Sequence, residues 1–269
     1  MKKTVLVLIT FALVIAVAGS GFWLVHYFID SREQRQTYEN LAEEFVLEST
    51  PSVRPENSSS LDSSLDAGEN DVSSPVESPD TPPRHDLAAL AAENPDCAGW
   101  LTIPDAGIDY PVMHTPNDPE HYLRRDFYGD SASGGTPFLD GRNLAETENQ
   151  NLIVYGHNMM DGSMFKPLIS YLEPSFQETH KEIYLELSEK QYRYELVTIL
   201  ETNTQCSLYQ YTDLSDPAEE SDFRAAILKE TDLDGVHQAS GYLTLSTCNN
   251  GGGNSRVLVI AALAGEVSQ

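Results

Sequence analysis

The stretch Thr244-Leu-Ser-Thr-Cys-Asn-Asn250 ends an apolar run on a cysteine, Cys248. A second run, Val257-Leu-Val-Ile-Ala-Ala-Leu263, starts directly after Arg256, and a third, Asn151-Leu-Ile-Val-Tyr-Gly156, is closed by His157. Short apolar runs bounded by polar and glycine residues read as buried strands. Thiol, guanidinium and imidazole therefore each stand where a strand meets a loop, a position that fixes a reactive group while leaving it exposed.

Working outward, further strands are expected at Gly99–Ile103, Ile108–Met113, Thr136–Asp140, Leu152–Gly156, Glu182–Leu187, Arg193–Glu201, Tyr242–Thr247 and Val257–Leu263. Turn pairs such as Pro104-Asp105 and Asp140-Gly141 separate them. Strands this short and numerous favour a closed or nearly closed β-barrel over a doubly wound sheet, so the fold class is mostly β with flanking helices. A helix from Leu87 to Ala92 is capped by Asp86 and ended by Asn94-Pro95. Others are expected at Met164–Leu172 and Pro217–Lys229. The last has Ser215 as its cap, Pro217 in the first turn, and Glu219 and Glu220 near the positive dipole end. Its stripe of Phe223, Ala226 and Ile227 should pack on the barrel.

The amino terminus carries Lys2 and Lys3, then an uncharged stretch from Thr4 to His26 rich in Leu, Val, Ile, Ala and Phe. At about 1.5 Å per residue such a helix spans roughly 30 Å, a bilayer core. Trp23, Tyr27 and Phe28 gather where an interfacial aromatic belt would lie. Ala16-Val17-Ala18 before Gly19 resembles a signal-peptide cleavage site, but the apolar run continues past it, which favours an uncleaved anchor. This reading makes residues 1–29 a single-pass anchor in the cell membrane with its N-terminus inside, and the remainder extracellular. Residues 30–48 have helical spacing, with Tyr38, Leu41 and Phe45 on one stripe, and read as a helical stalk. Residues 49–85 are rich in Ser, Pro and acids and read as a disordered linker. A flexible coil of about 36 residues has a mean reach near 35 Å, enough to lift a domain off the membrane. The folded domain is expected over 86–269.

With 42 acidic and 16 basic side chains the formal charge is -26. Phosphate binding needs clustered Lys and Arg, so no nucleic acid is expected as a partner. The three cysteines are Cys97, Cys206 and Cys248. An odd count outside the cytoplasm leaves at least one free thiol; Cys97 and Cys206 could pair or stay as two small apolar side chains.

A thiol with the ordinary pKa near 8.5 is only about three per cent thiolate at neutral pH, so cysteine chemistry needs a base or a positive neighbour. His157 is suited by position. Arg256 follows Cys248 by eight residues through a polar, Gly-rich loop. If the two strands are neighbours, its guanidinium can reach the sulfur and stabilise an oxyanion or clamp a substrate backbone.

Several segments, in order, resemble a known family. Leu243-Thr-Leu-Ser-Thr-Cys248 with Arg256 downstream looks like the active-site strand of a class B sortase. Tyr155-Gly-His-Asn-Met159 and Asp161-Gly-Ser-Met-Phe165 are similar to its histidine segment. Asn94-Pro-Asp96, Gly99-Trp-Leu101, Ile108-Asp-Tyr-Pro-Val112, Tyr122-Leu123, Asp126-Phe-Tyr128 and Gly135-Thr-Pro-Phe-Leu-Asp140 continue the likeness, which covers about residues 86 to 264. The long helix before the cysteine strand is also a trait of that class.

The resemblance implies an eight-stranded barrel and a two-step acyl transfer. Cys248 would attack the Thr carbonyl of an Asn-Pro-x-Thr-type signal near the carboxyl end of a surface protein. His157 would protonate the leaving amine and later deprotonate the incoming one, and Arg256 would hold the substrate and the oxyanion. The acceptor would be a peptidoglycan amine, or a pilin lysine in a fibre-building member. By motif position Leu123, Tyr155, Ser246 and Asn117 would line the peptide groove, Ser246 sharing a strand face with Cys248. Neither a metal nor an organic cofactor is implied. Some relatives carry an acid directly after the cysteine; here it is Asn249. A non-catalytic adhesin or scaffold on a tether is the reading from another class, and the three motifs together speak against it.

Overall fold

Every apolar run that the sequence marks as a strand is hydrogen-bonded into one closed sheet. The structure is a computed structural model and describes residues 2–47, 81–231, 233–249 and 253–267. In chain order it runs α1 (Lys2–Glu44), β1 (Val46–Leu47), β2 (Arg84–His85), α2 (Leu87–Glu93), β3 (Cys97–Ile103), β4 (Ile108–Met113), β5 (Phe138–Leu139), β6 (Asn151–Tyr155), α3 (Pro174–Thr179), β7 (Glu182–Leu187), β8 (Lys190–Asn203), α4 (Pro217–Glu230), β9 (Tyr242–Cys248) and β10 (Ser255–Glu266). Eight strands close the barrel in the order β10-β8-β7-β3-β4-β5-β6-β9. The pairs β6–β9 and β4–β5 are parallel and the rest antiparallel.

Period-two alternation fills the barrel and covers it. Along β10, Val259 and Ala261 join the interior with Leu101, Val154, Leu185 and Leu245, while Leu258 and Ile260 face outward under Phe223 and Ile227 of α4. Burying side chains of this size contributes about 1.5–3 kcal/mol each. β7 turns into β8 through Ser188 and Glu189, both with positive φ, as a tight two-residue hairpin turn requires.

Several expectations shift at their edges. The third strand is only Phe138–Leu139: its flanks still bond to neighbouring strands, Met113 N–H donating to Pro137 O and Asp140 N–H to Ile153 O, but Thr136 N–H turns away to Tyr122 O in the loop region before it. The helix expected over 164–172 is a 3₁₀ segment, Lys166–Leu172, followed by α3. Met164 has a positive φ of 55° and Pro167 lacks an amide hydrogen, so no α-helix starts at 164. The cap of α4 is Asp216, whose carboxylate accepts from Ala218 N–H, rather than Ser215. Cys97 and Cys206 are both buried and unbridged, and burial pushes the Cys97 thiol up to about 12.

The amino-terminal region departs most from expectation. α1 contains an 18-residue stretch of mean hydropathy 2.3, long and apolar enough to cross a membrane. Its far end does not stand clear as a stalk: Tyr38 and Leu41 are each 1 % exposed within the barrel's main core. Tyr38 packs edge-on against Tyr110, with ring centroids 5.4 Å apart. The expected disordered linker falls largely on residues 49–80, outside the described residues. Its last residues, 84 and 85, belong to the fold, because β2 pairs with β1 and His85 is buried against Glu186 and Trp100. The two ends of the intervening segment therefore meet, and its length does not set the distance between α1 and the barrel.

Candidate active site

Of three adjacent strands, β6 and β9 end and β10 begins on the same side of the barrel. β9 and β10 are antiparallel with Arg256 opposite Cys248. Residues opposed in this way have Cα atoms about 4.5–5.5 Å apart. β6 runs parallel to β9 with Tyr155 level with Ser246, so His157, two residues further on, is carried toward the level of Cys248. Cross-strand bonds lock the ends together: Gly156 N–H donates to Ser246 O at 3.1 Å, Thr247 Oγ1 to Gly156 O at 2.8 Å, and Asn158 Nδ2 to Cys248 O at 2.8 Å. Gly156 is required here, since a Cβ would lie 2.6 Å from the Phe165 ring.

His157, Cys248 and Arg256 line one cleft of about 430 Å³. Cys248 is exposed and His157 is partly buried. Burial pushes the imidazole below its ordinary value; the charges of Arg124 and Arg256 add to that, and the hydrogen bond to Leu123 opposes it. His157 Nε2 is 2.7 Å from the Leu123 carbonyl, which can only accept. Nε2 thus carries the hydrogen, and Nδ1 is the nitrogen left to exchange a proton. Arg256 Nη1 donates to the carbonyls of Gly253, at 3.2 Å, and Ser255, at 2.9 Å. A guanidinium has five N–H donors, so Nε and Nη2 can still serve a ligand in the cleft.

Leu123, Tyr155 and Ser246 also line the cleft. Asn117 does not: it is exposed in the loop that follows β4. Pro119 and Glu120, a little further along that loop, reach the cleft instead.

Sequence reasoning missed a wall formed by Phe138, Asp140, Thr204 and Tyr209. The rings of Tyr155 and Tyr209 stack with centroids 6.1 Å apart, and Tyr209 Oη is 2.8 Å from Ser246 Oγ. Asp140 accepts from Tyr155 Oη at 2.9 Å and takes a two-point grip from Arg142, at 2.7 and 2.8 Å. Burial alone would raise the Asp140 carboxyl, but the hydrogen bonds from Arg142 and Tyr155 outweigh it and hold it below the ordinary carboxylate value. Arg142 also donates to Tyr209 O at 2.7 Å, tying the two sides of the wall. The Asp140-Gly141 pair reads as a turn on sequence, and nothing local marks Tyr209. Among the described residues no cluster of His, Cys, Asp and Glu could hold a metal ion.

Known proteins share this architecture. Residues 101–264 match the model of the sortase domain. Sortase B of Listeria monocytogenes is 34% identical over 169 residues, covering 62% of this chain and 68% of that protein. Sortase B of Staphylococcus aureus is 25% identical over 269 residues, covering 97% of each. Among solved structures, sortase B from B. anthracis in complex with AAEK1 superposes with a TM-score of 0.64 at 26% identity, covering 88% of this chain and 98% of that one. The Staphylococcus aureus sortase B–substrate complex gives 0.60 at 27% identity, covering 68% and 85%. A sheet that closes in this order, and a sequence that aligns across most of it, leave one assignment: the chain belongs to the sortase family, within class B, and is a cysteine transpeptidase.

Proposed function

We propose that this protein cleaves an Asn-Pro-x-Thr-type sorting signal at the Thr carbonyl and transfers the acyl group to a peptidoglycan amine. One observation carries the reading: the side chains of Cys248, His157 and Arg256, far apart in sequence, line a single cleft. In the first step the Cys248 thiolate adds to the Thr carbonyl carbon, and the carbonyl electrons become an oxyanion facing Arg256. Collapse breaks the C–N bond, and the leaving amine takes the proton from Nδ1 of the His157 imidazolium. In the second step the acceptor amine attacks the thioester, neutral His157 removes its proton, and the thiolate departs. Leu123, the Tyr155–Tyr209 pair and Ser246 hold the peptide. No step calls for a metal or an organic cofactor.

The apolar stretch of α1 is read as the anchor of a single-pass membrane protein with its N-terminus inside, which presents the domain at 86–269 outside the cell. That the Staphylococcus aureus relative is solved as a sortase B–substrate complex supports a substrate-binding role for this chain.

The test is incubation of the full-length protein with an Asn-Pro-x-Thr peptide library and a choice of amines, followed by mass spectrometry. An acyl adduct on Cys248 that is passed to cross-bridge amines is expected, and none on Cys248→Ala. Transfer undiminished in Cys248→Ala would sink the reading, while acceptance of a pilin lysine alone would replace the wall by a pilus as destination.

A further inference from the structure

Between Tyr27 and Tyr38, helix α1 grips the barrel at two places, and both adjoin His157. The first is the loop that follows the imidazole. The backbone N–H of Met160 donates to Tyr27 Oη at 3.2 Å. Arg35 Nη2 donates to Asp161 O at 3.2 Å and lies 3.6 Å from Asp161 Oδ2. Asp161 uses its other oxygen to accept from Ser163 N–H, at 3.1 Å, and Ser163 Oγ, at 2.7 Å, so Arg35 holds the residue that organises the loop. The loop is closed at its own base, with Phe165 N–H donating to His157 O at 2.8 Å.

The second place is the turn behind the carbonyl that orients the ring. Gln34 Nε2 and Tyr38 Oη both donate to Gly135 O, at 2.8 and 2.9 Å, and Gly134 N–H donates to Gln34 Oε1 at 3.2 Å. Gly135, with φ of 59°, rests directly on the carbonyls of Tyr122 and Leu123, where a Cβ would collide with both. The Leu123 carbonyl accepts from His157 Nε2. α1 thus braces both the loop leaving the imidazole and the acceptor that fixes its tautomer. Gln34 and Tyr38 are 7 % and 1 % exposed, so these polar contacts are made away from water.

We infer that residues Tyr27, Gln34, Arg35 and Tyr38 of α1 are positioning residues for His157, so that proton transfer in the cleft depends on the helix that also carries the apolar span. None of them touches the cleft, and each acts through the 158–163 loop or the 134–136 turn. The inference rests on the role proposed for His157.

The test uses the full-length protein in detergent micelles, with Arg35→Met, Tyr38→Phe and the double variant, which keep bulk and remove hydrogen bonds. Three readouts are taken: thermal unfolding, kcat and KM for transfer from the Asn-Pro-x-Thr peptides to an amine, and the pH dependence of Cys248 alkylation by iodoacetamide. Misplacing a proton donor by a fraction of an ångström should lower kcat by about tenfold in the double variant, with KM changed less than about twofold. The acid-side inflection of the alkylation curve should move, and Arg35→Lys should recover most of the Arg35→Met loss. Unchanged kcat and inflection, or losses that track the melting temperature alone, would overturn the inference. Should the double variant not fold, the single variants, read in the same three ways, decide the matter. His157→Ala and Cys248→Ala are run beside them: wild-type transfer in His157→Ala defeats the proposed role of His157, whereas dead controls with unaffected helix variants defeat only this inference.

Discussion

His157 and Leu123, 34 positions apart, are joined by one hydrogen bond of 2.7 Å from Nε2 to the backbone carbonyl. That bond turns Nδ1 toward proton exchange, and burial holds the ring's pKa below its ordinary 6.5. In the free enzyme the imidazole is then mostly neutral at pH 7. The proposed reaction needs the thiolate–imidazolium arrangement, which is lost when both groups are protonated on the acid side and when both are deprotonated on the alkaline side.

The expected consequence is a bell-shaped profile of kcat/KM against pH whose acid limb lies below 6.5. The same depression affects stability. A group whose protonation is disfavoured by folding contributes fully above its unfolded pKa, and the contribution is lost as pH falls through the folded value. His157→Gln should therefore narrow its stability difference from wild type on acidification. An acid limb above 6.5, or a difference that widens on acidification, contradicts the assignment.

Asp140 is the joint of the cleft wall. Replacing it by Asn removes the charge that Arg142 grips and weakens the acceptor for Tyr155 Oη. Hydrogen bonds to a charged group contribute about 1.5–3 kcal/mol, so Asp140→Asn should lower stability by about that much. KM should rise more than kcat falls, because Tyr155 and Tyr209 lose their fixed spacing. Steady-state kinetics and thermal melting check both, and a variant with unaltered KM would show that the wall does not hold substrate.

The barrel was legible because each strand is a short apolar run whose period survives in isolation, and β10 shows both faces at once in Val259 and Leu258. The placing of Cys248, His157 and Arg256 at strand ends was legible because strand ends are local features. Tyr209 and Asp140 were not, since their meeting depends on how loops from different strands fold over one rim. Motif position alone puts Asn117 in the groove; the turn containing Pro116 and Pro119 carries Glu120 there instead. The 30–48 stripe of Tyr38 and Leu41 was visible, but an amphipathic stripe does not name its partner, and here the partner is the barrel.

His85 and Glu186 form a buried pair at 2.8 Å, with side chains 3 % and 2 % exposed, and the His85 ring stacks on Trp100. A second bond, His85 N–H to the other carboxylate oxygen, fastens β2 to the barrel. Removing the carboxylate leaves the backbone N–H and the ring Nδ1 of His85 buried without their partner, at about 1–3 kcal/mol for each unsatisfied group. Glu186→Ala should lose stability on that scale and expose the chain near residue 84 to limited proteolysis, with the cleft's KM unaffected below the melting temperature. A loss under about 1 kcal/mol in chemical denaturation would mean the pair contributes little.

Val46 pairs with His85 and Leu47 with Arg84, so the chain leaves and returns at one point. A lifting tether would make activity toward a membrane-held substrate depend on the length of residues 48–83. A closed excursion makes it indifferent to that length. Replacing residues 48–83 by a four-residue turn shortens the loop about ninefold, and by loop-closure entropy this stabilises the fold by up to about 2 kcal/mol. The shortened protein is expected to melt no lower than wild type and to retain kcat and KM toward a peptide substrate. It should also process a membrane-anchored signal at the wild-type rate. A fall in that last rate alone, with peptide kinetics intact, would show that the segment sets the reach of the enzyme after all, and that the β1–β2 pairing opens when it works.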